Sequence, residues 1–192
     1  MRALLLAALL AAAPVTLAPV ALAQDGSVVL TDFTEDGLAE RWIAVNDNVM
    51  GGRSTGGPTF TDSTLVFAGA TNTTGGGFSS TRTPSDYDMA GYAGIELRYR
   101  ADGRTYEFDM QNGERDMGFP IAYRAAFETE ASEDWQTVRL PFSAFQATRF
   151  GEVVDDRQLD PATIQTLGLY IFDGQDGPFE LEVDHIAVYI QE

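Results

Sequence analysis

Over residues 95–100 apolar and charged positions alternate strictly. Ile95, Leu97 and Tyr99 share one parity; Glu96, Arg98 and Arg100 share the other. Period-two spacing sends the two sets to opposite faces of an extended chain, so a half-buried strand is predicted. The last stretch repeats the pattern, with Phe179, Leu181 and Val183 set against Glu180, Glu182 and Asp184. After Val183 the apolar parity moves to Ile186, Val188 and Ile190. One extra residue near Asp184-His185 would account for that shift, as a β-bulge or a bend between sheets. Further strands are expected at Val28–Phe33, Trp42–Val45, Leu65–Phe67, Phe78–Thr81, Thr105–Met110, Ile121–Phe127, Trp135–Leu140 and Leu167–Phe172. No stretch holds a helical period, and Gly, Thr, Ser, Asn and Asp break the chain at short intervals. Helical turns are expected only at Phe142–Phe145 and Pro161–Gln165, the second with Asp160 as N-cap ahead of Pro161. Roughly ten short strands joined by glycine-rich turns make this an all-β, two-sheet antiparallel sandwich.

The N-terminus reads differently. Arg2 is followed by an apolar run from Ala3 to Ala13, and Ala21-Leu22-Ala23 offers a small-x-small cleavage site. That is the layout of a secretory signal over residues 1–23, leaving 24–192 as one domain and pointing to a bacterial periplasm. The apolar run is too short to span about 30 Å of hydrocarbon, so no stable membrane insertion is expected after cleavage. The chain has no cysteine, which removes disulfides, zinc thiolates and thiol catalysis together. It has 29 acidic and 12 basic residues for a net charge of −17, and loss of Arg2 takes this to −18. Every basic residue is Arg. Such a field repels nucleic acid and anionic lipid, so neither is expected as a partner.

Candidate chemistry centres on one loop. Trp42 leads through Asn46-Asp47 and Val49-Met50 to Gly51-Gly52 and Ser54, and a second run follows at Gly75-Gly76-Gly77-Phe78. Gly51-Gly52 predicts a tight reversal needing positive φ, with Val49 and Met50 tucked into the core. Asn46 and Asp47 either cap neighbouring amides or bind a cation, a sugar hydroxyl or an arginine. The triple glycine is not a phosphate loop, because no Lys follows and the run enters a strand. Arg82 is expected to pair with Asp47 or with an acidic group on a partner. Asp102-Gly103 marks a hairpin turn, with Arg104 as a further site candidate.

Together with Leu140-Pro141-Phe142-Ser143-Ala144-Phe145, Leu167-Gly168-Leu169 and Phe179–Val183, these motifs resemble the signature of the CIA30 family, proteins similar to the complex I intermediate-associated protein 30. The resemblance runs through nearly all the chain after residue 27. It implies a jelly roll of the galactose-binding kind. It also implies structural roles for Trp42, Met50, Gly51, Gly52, Ser54, Gly76, Gly77 and Phe78. The family's eukaryotic members assist respiratory complex I assembly, whereas a secretory signal here leaves only a general scaffold role to carry across.

Three functions compete at this point, and the residues with the resemblance favour the first, keep the second as the alternative and rank the third last. The first is an exported, non-catalytic assembly factor presenting its loops to a protein partner in the envelope, through Asn46, Asp47, Arg82, Arg104 and Tyr123. The second is a carbohydrate-binding module, in which some of Trp42, Trp135, Tyr92, Tyr106, Tyr123 and Tyr170 line a concave sheet face. Among these Trp135 reads as core, and Tyr123 with Arg124 as exposed. The third is a glycan hydrolase, which needs two carboxyls about 5 to 9.5 Å apart across a cleft. The lone His185 supports no triad. Asp173 and Asp176, three apart in a glycine-containing loop, are weak candidates for a structural Ca2+; no other cofactor is expected.

Overall fold

The structure is a computed structural model describing residues 26–191. The expected signal over residues 1–23, with its cleavage site, lies outside the described residues. The strands, numbered in chain order, are β1 (Ser27–Thr31), β2 (Ile43–Asn46), β3 (Thr55–Phe60), β4 (Leu65–Thr71) and β5 (Ser79–Pro84). The middle of the chain supplies β6 (Gly94–Asp102), β7 (Thr105–Gln111), β8 (Arg115–Asp116), β9 (Phe119–Pro120) and β10 (Ala122–Glu128). Then come β11 (Ala131–Pro141), β12 (Gln146–Arg149), β13 (Glu152–Val153), β14 (Thr166–Ile171) and β15 (Gly177–Tyr189).

They form two antiparallel sheets packed face to face, as the alternation predicted. One runs β11-β6-β15-β4-β3, with β1 also paired to β15; the other runs β13-β12-β10-β7-β14-β5-β2. The hairpin β8-β9 forms a separate small ribbon. Among the described residues, helical structure is confined to single turns at Leu38–Arg41, Asp47–Met50, Phe142–Ala144 and Pro161–Thr163. Asp160 caps the last of these, accepting from the Ala162 amide at 3.1 Å.

The core lies between the sheets and follows strand parity. Leu65, Phe67, Ile95, Leu97, Tyr106, Phe108, Met110 and Leu181 have no exposed surface. Phe67 sits 4.9 Å from the Phe179 ring and 6.5 Å from Tyr106, joining the two sheets through aromatic contact. The pairing of β15 with β6 shifts between Val183 and His185, where the bulge was expected. The shift moves burial from Leu181 and Val183 to Ile186 and Val188. Asp184 and His185 are left together, with Nδ1 of His185 2.9 Å from the Asp184 carboxylate, which also accepts from Arg98.

Two expectations change. Trp135 is not core: it lies half-buried on the outer face, with the guanidiniums of Arg98 and Arg100 at 5.1 and 4.8 Å from its ring. Strand β3 was unforeseen because Gly56-Gly57-Pro58 has the composition of a loop. It lies at a sheet edge, where Pro is tolerated. Gly56 is needed there, since a Cβ would lie 2.7 Å from the Phe179 ring.

Phe67→Ala should cost about 3–5 kcal/mol, because a buried ring is lost and the cavity only partly relaxes. Urea unfolding checks this; a cost below about 1 kcal/mol would mean the sheets do not close tightly there.

Candidate functional site

The signature loop is organised around one carboxylate. Asp47 has no exposed surface. Its Oδ1 accepts from the Ser54 amide at 2.8 Å, and its Oδ2 from the Ser54 hydroxyl and the Gly77 amide, both at 2.6 Å. Burial alone would raise its pKa, but the bonds from Ser54 and Gly77 outweigh it and hold the carboxyl below its ordinary value. Gly52 and Gly76 leave the space this requires: a Cβ on either would run into the Asp47 side chain. Gly51, at φ 90°, makes the positive-φ reversal expected from the sequence. Asn46 fastens the neighbouring strands. Its Nδ2 donates to the Gly56 carbonyl at 3.0 Å, and its Oδ1 accepts from the Ser79 hydroxyl at 2.6 Å. The loop therefore ties β2, β3 and β5 together, and the bonding capacity of Asn46 and Asp47 is used within the fold.

The same loop builds one wall of a cleft of about 450 Å3 on the outer face of the seven-stranded sheet. Val49, Met50 and Phe78 stand on that wall, with Phe150 and Phe172 opposite and Arg82, Gln111, Arg124, Thr148 and Tyr170 in the floor. Val49 and Met50 are 69% and 58% exposed, so they face the cleft and not the core as expected. A single 3-10 turn leaves too little chain to bury both side chains and still deliver Asp47 to Ser54.

The floor is a register row. Arg82 on β5 pairs with Gly168 on β14, Gly168 with Asp109 on β7, and Asp109 with Arg124 on β10. With no side chain at Gly168, Arg82 can lean across β14 toward Asp109; a Cβ there would lie 2.9 Å from the Arg82 Cγ. Arg82 Nε is 3.5 Å from Asp109 Oδ2, and Arg124 Nε donates to Asp109 Oδ1 at 2.7 Å. Arg124 also lies flat on the Tyr170 ring, 3.6 Å from its centroid. Two phenylalanine rings also meet Tyr170: Phe78, stacked at 5.4 Å and 23°, and Phe172, tilted at 6.3 Å. Burial raises the Glu107 carboxyl on the adjacent row, and the Arg124 guanidinium opposes the rise.

The structure separates several residues that the sequence grouped. Arg82 does not pair with Asp47; its acidic neighbour is Asp109. Tyr123 is fully buried and donates to Glu114, because it shares the parity of Ile121, Ala125 and Phe127. Its neighbour Arg124 takes the cleft side. Arg104 lies inside the fold, with Nε 2.8 Å from Asp173 and further bonds to the carbonyls of Gln175, Gly177 and Pro178. That pairing removes the reason for calcium: both Asp173 oxygens already face a guanidinium, and Asp176 Oδ1 accepts from the Thr73 amide at 2.6 Å. The loop does not fit a divalent ion. Among the described residues no cluster of three or more His, Cys, Asp or Glu stands together, and no helix is long and apolar enough to cross a membrane. No carboxylate lines the cleft, so the pair a glycan hydrolase needs is not there.

Sequence reading missed Asp109, Gln111, Phe150 and Phe172. The first two could have been found, since both oppose the core parity of Phe108 and Met110. The phenylalanines follow strand ends, where alternation carries no signal.

Asp47→Ala should cost about 3 kcal/mol, since two amides and a hydroxyl lose a charged acceptor. Asp47 has a folded pKa below its ordinary 3.8, so its contribution is full above that value and disappears as pH falls through the folded one. Acid titration of stability by circular dichroism should therefore be shallower in Asp47→Asn than in the parent chain. Equal steepness would show that the Asp47 pKa is the same in the folded and unfolded chains.

With the geometry established, comparison with known proteins gives both a family and a fold. The sequence model described as Complex I intermediate-associated protein 30 (CIA30) matches residues 31–183. "Complex I intermediate-associated protein 30, mitochondrial" of Drosophila melanogaster is 28% identical over 113 residues, 57% of this chain and 38% of that protein. Its Mus musculus counterpart is 34% identical over 108 residues, 54% of this chain and 32% of that protein. The matched stretches thus span about a third of these relatives. Among solved structures, the family 11 carbohydrate-binding module of the cellulosomal cellulase Lic26A-Cel5E of Clostridium thermocellum superposes with a TM-score of 0.62 at 17% identity, covering 88% of this chain and 97% of that one. An agarase superposes with a TM-score of 0.61 at 11% identity, over 87% of this chain and 25% of that chain. At these identities the likeness is one of fold. The family match takes in the Asp47 loop, the Gly168 strand and most of the sandwich between them, and the chain belongs to the CIA30 family.

Proposed function

We propose that this protein is an exported, non-catalytic binding domain whose cleft takes a segment of a glycan chain. One observation carries the reading: the cleft combines a polar floor with exposed aromatic rings on its rim. Phe150 and Phe172 are 68% and 48% exposed, while Arg82, Gln111, Arg124 and Thr148 offer donors and acceptors beneath them. A sugar ring has an apolar face and a polar edge, and such a surface suits both. Tyr170 contributes only its edge, because Arg124 and Phe78 occupy its faces. The fold supports the reading by analogy: a family 11 module with the same architecture is known in complex with a beta-1,3-1,4-mixed-linked tetrasaccharide. Export rests on the signal-like layout of residues 1–23.

A second reading has its own support. Val49, Met50, Phe119 and Phe150 are exposed, and Phe119 packs 4.8 Å from Phe150, extending the apolar rim toward β9. A protein segment could lie on that rim, in keeping with the association with a complex I intermediate that the relatives' name states.

Titration calorimetry against a panel of neutral and acidic soluble glycans separates the two. Saturable binding should weaken about tenfold in Phe172→Ala, with thermal stability unchanged, since an exposed ring contributes little to folding. No binding to any glycan at about millimolar concentration, a free energy near −4 kcal/mol, would overturn the glycan reading in favour of a protein partner.

A further inference from the structure

The charge of the cleft is opposite to that of the chain. Twenty-nine acidic residues outnumber twelve basic ones, yet the charged side chains lining the cleft are Arg82 and Arg124. The acid that holds them, Asp109, is fully buried below the floor, so the triad carries a net single positive charge with its cations uppermost. Glu107, the next carboxylate on the same sheet face, lies on the far side of Arg124 at 3.8 Å and outside the cleft lining.

The two guanidiniums differ in their commitments. Arg124 is fixed, with Nε on Asp109 and its plane on Tyr170. Arg82 is not: its Nε is cut off from solvent and has no hydrogen-bond partner, and its closest acidic oxygen is 3.5 Å away. Its terminal nitrogens likewise have no partner among the described residues, while the side chain keeps 20% of its surface exposed. The terminal nitrogens, not the buried Nε, are therefore the donors open to a ligand in the cleft, where an acceptor gains a charge-assisted hydrogen bond. The planar fork of an arginine fits a planar carboxylate through two parallel hydrogen bonds.

We propose that the glycan accepted by this cleft is acidic, and that a uronate carboxylate is received by Arg82 with Arg124 beside it. The inference rests on the glycan reading above and specifies its ligand class.

The test compares four short probes by calorimetry: tetragalacturonate, its methyl ester, a sulfated oligosaccharide and a neutral glucan tetrasaccharide. The acid should bind at least about tenfold more tightly than the ester, the ratio that one charge-assisted hydrogen bond supplies. Arg82→Gln should reduce the acid to the affinity of the ester at unchanged thermal stability, while Arg82→Lys should keep part of the preference. If the Gln variant fails to fold, the Lys variant and the acid–ester ratio of the parent chain still decide the matter. Equal binding of acid and ester, or tighter binding of the neutral glucan, would overturn the inference and leave the glycan reading standing. Tight binding of sulfated oligosaccharides but not the uronate would assign the site to sulfate and overturn the carboxylate. No binding of any probe would remove both readings.

Discussion

The fold and the cleft depend on a carboxylate that is buried without a counter-cation. No guanidinium contacts Asp47 among the described residues; two backbone amides and a hydroxyl carry its charge instead. Neutral donors can do this when each is held in place before the charge arrives, and here Gly77 and Ser54 are held by strands of different sheets. Ser54 precedes β3 and Gly77 precedes β5, so the carboxylate works as a rivet between the layers. The wall of Met50 and Phe78 stands where it does because that rivet sits directly beneath it. Asp47 acts on any ligand only through those side chains, as a positioning residue.

A second constraint has a related form. The loop after β14 carries two aspartates and two glycines, a composition suited to a hard cation. In the folded chain Arg104 takes the cation's part, reaching Asp173 and three backbone carbonyls at once. An arginine brings directionality that a spherical ion lacks, and it fixes the path from Phe172 at the cleft rim to the start of β15. In a lysine-free chain, loop closure and cleft floor alike rely on the planar geometry of guanidinium.

Much of this was legible in the sequence, and the gaps have physical causes. Strict alternation located β6 and β15, and a one-residue change in parity located the bulge at Asp184-His185. The loop signature gave the positive φ at Gly51 and the close packing at Gly76, since both follow from local chain geometry. The partner of Arg82 could not be read, because Asp109 lies 27 residues away across an intervening strand and reaches it only over Gly168. Tyr123 was assigned to the surface on residue type, although its parity with Ile121 and Phe127 argued for the core. Parity was the better guide. The exposed rings at Phe150 and Phe172 sit at chain reversals, where neither period nor propensity speaks.

The position of β15 has a consequence for how the chain acquires its structure. The last strand in sequence is the middle strand of its sheet, with β6 on one side and β4 and β1 on the other. Until Gly177–Tyr189 have emerged, β6 has only β11 to pair with and β4 only β3, β1 has no strand to join, and Phe67 has no Phe179 to pack against. The ribbons β11-β6 and β4-β3 can form as synthesis advances, but the sheet they share waits for β15 and then closes many contacts of long sequence separation together. The joining of its two halves is therefore a late and cooperative event, set by a strand that follows both of them in the sequence.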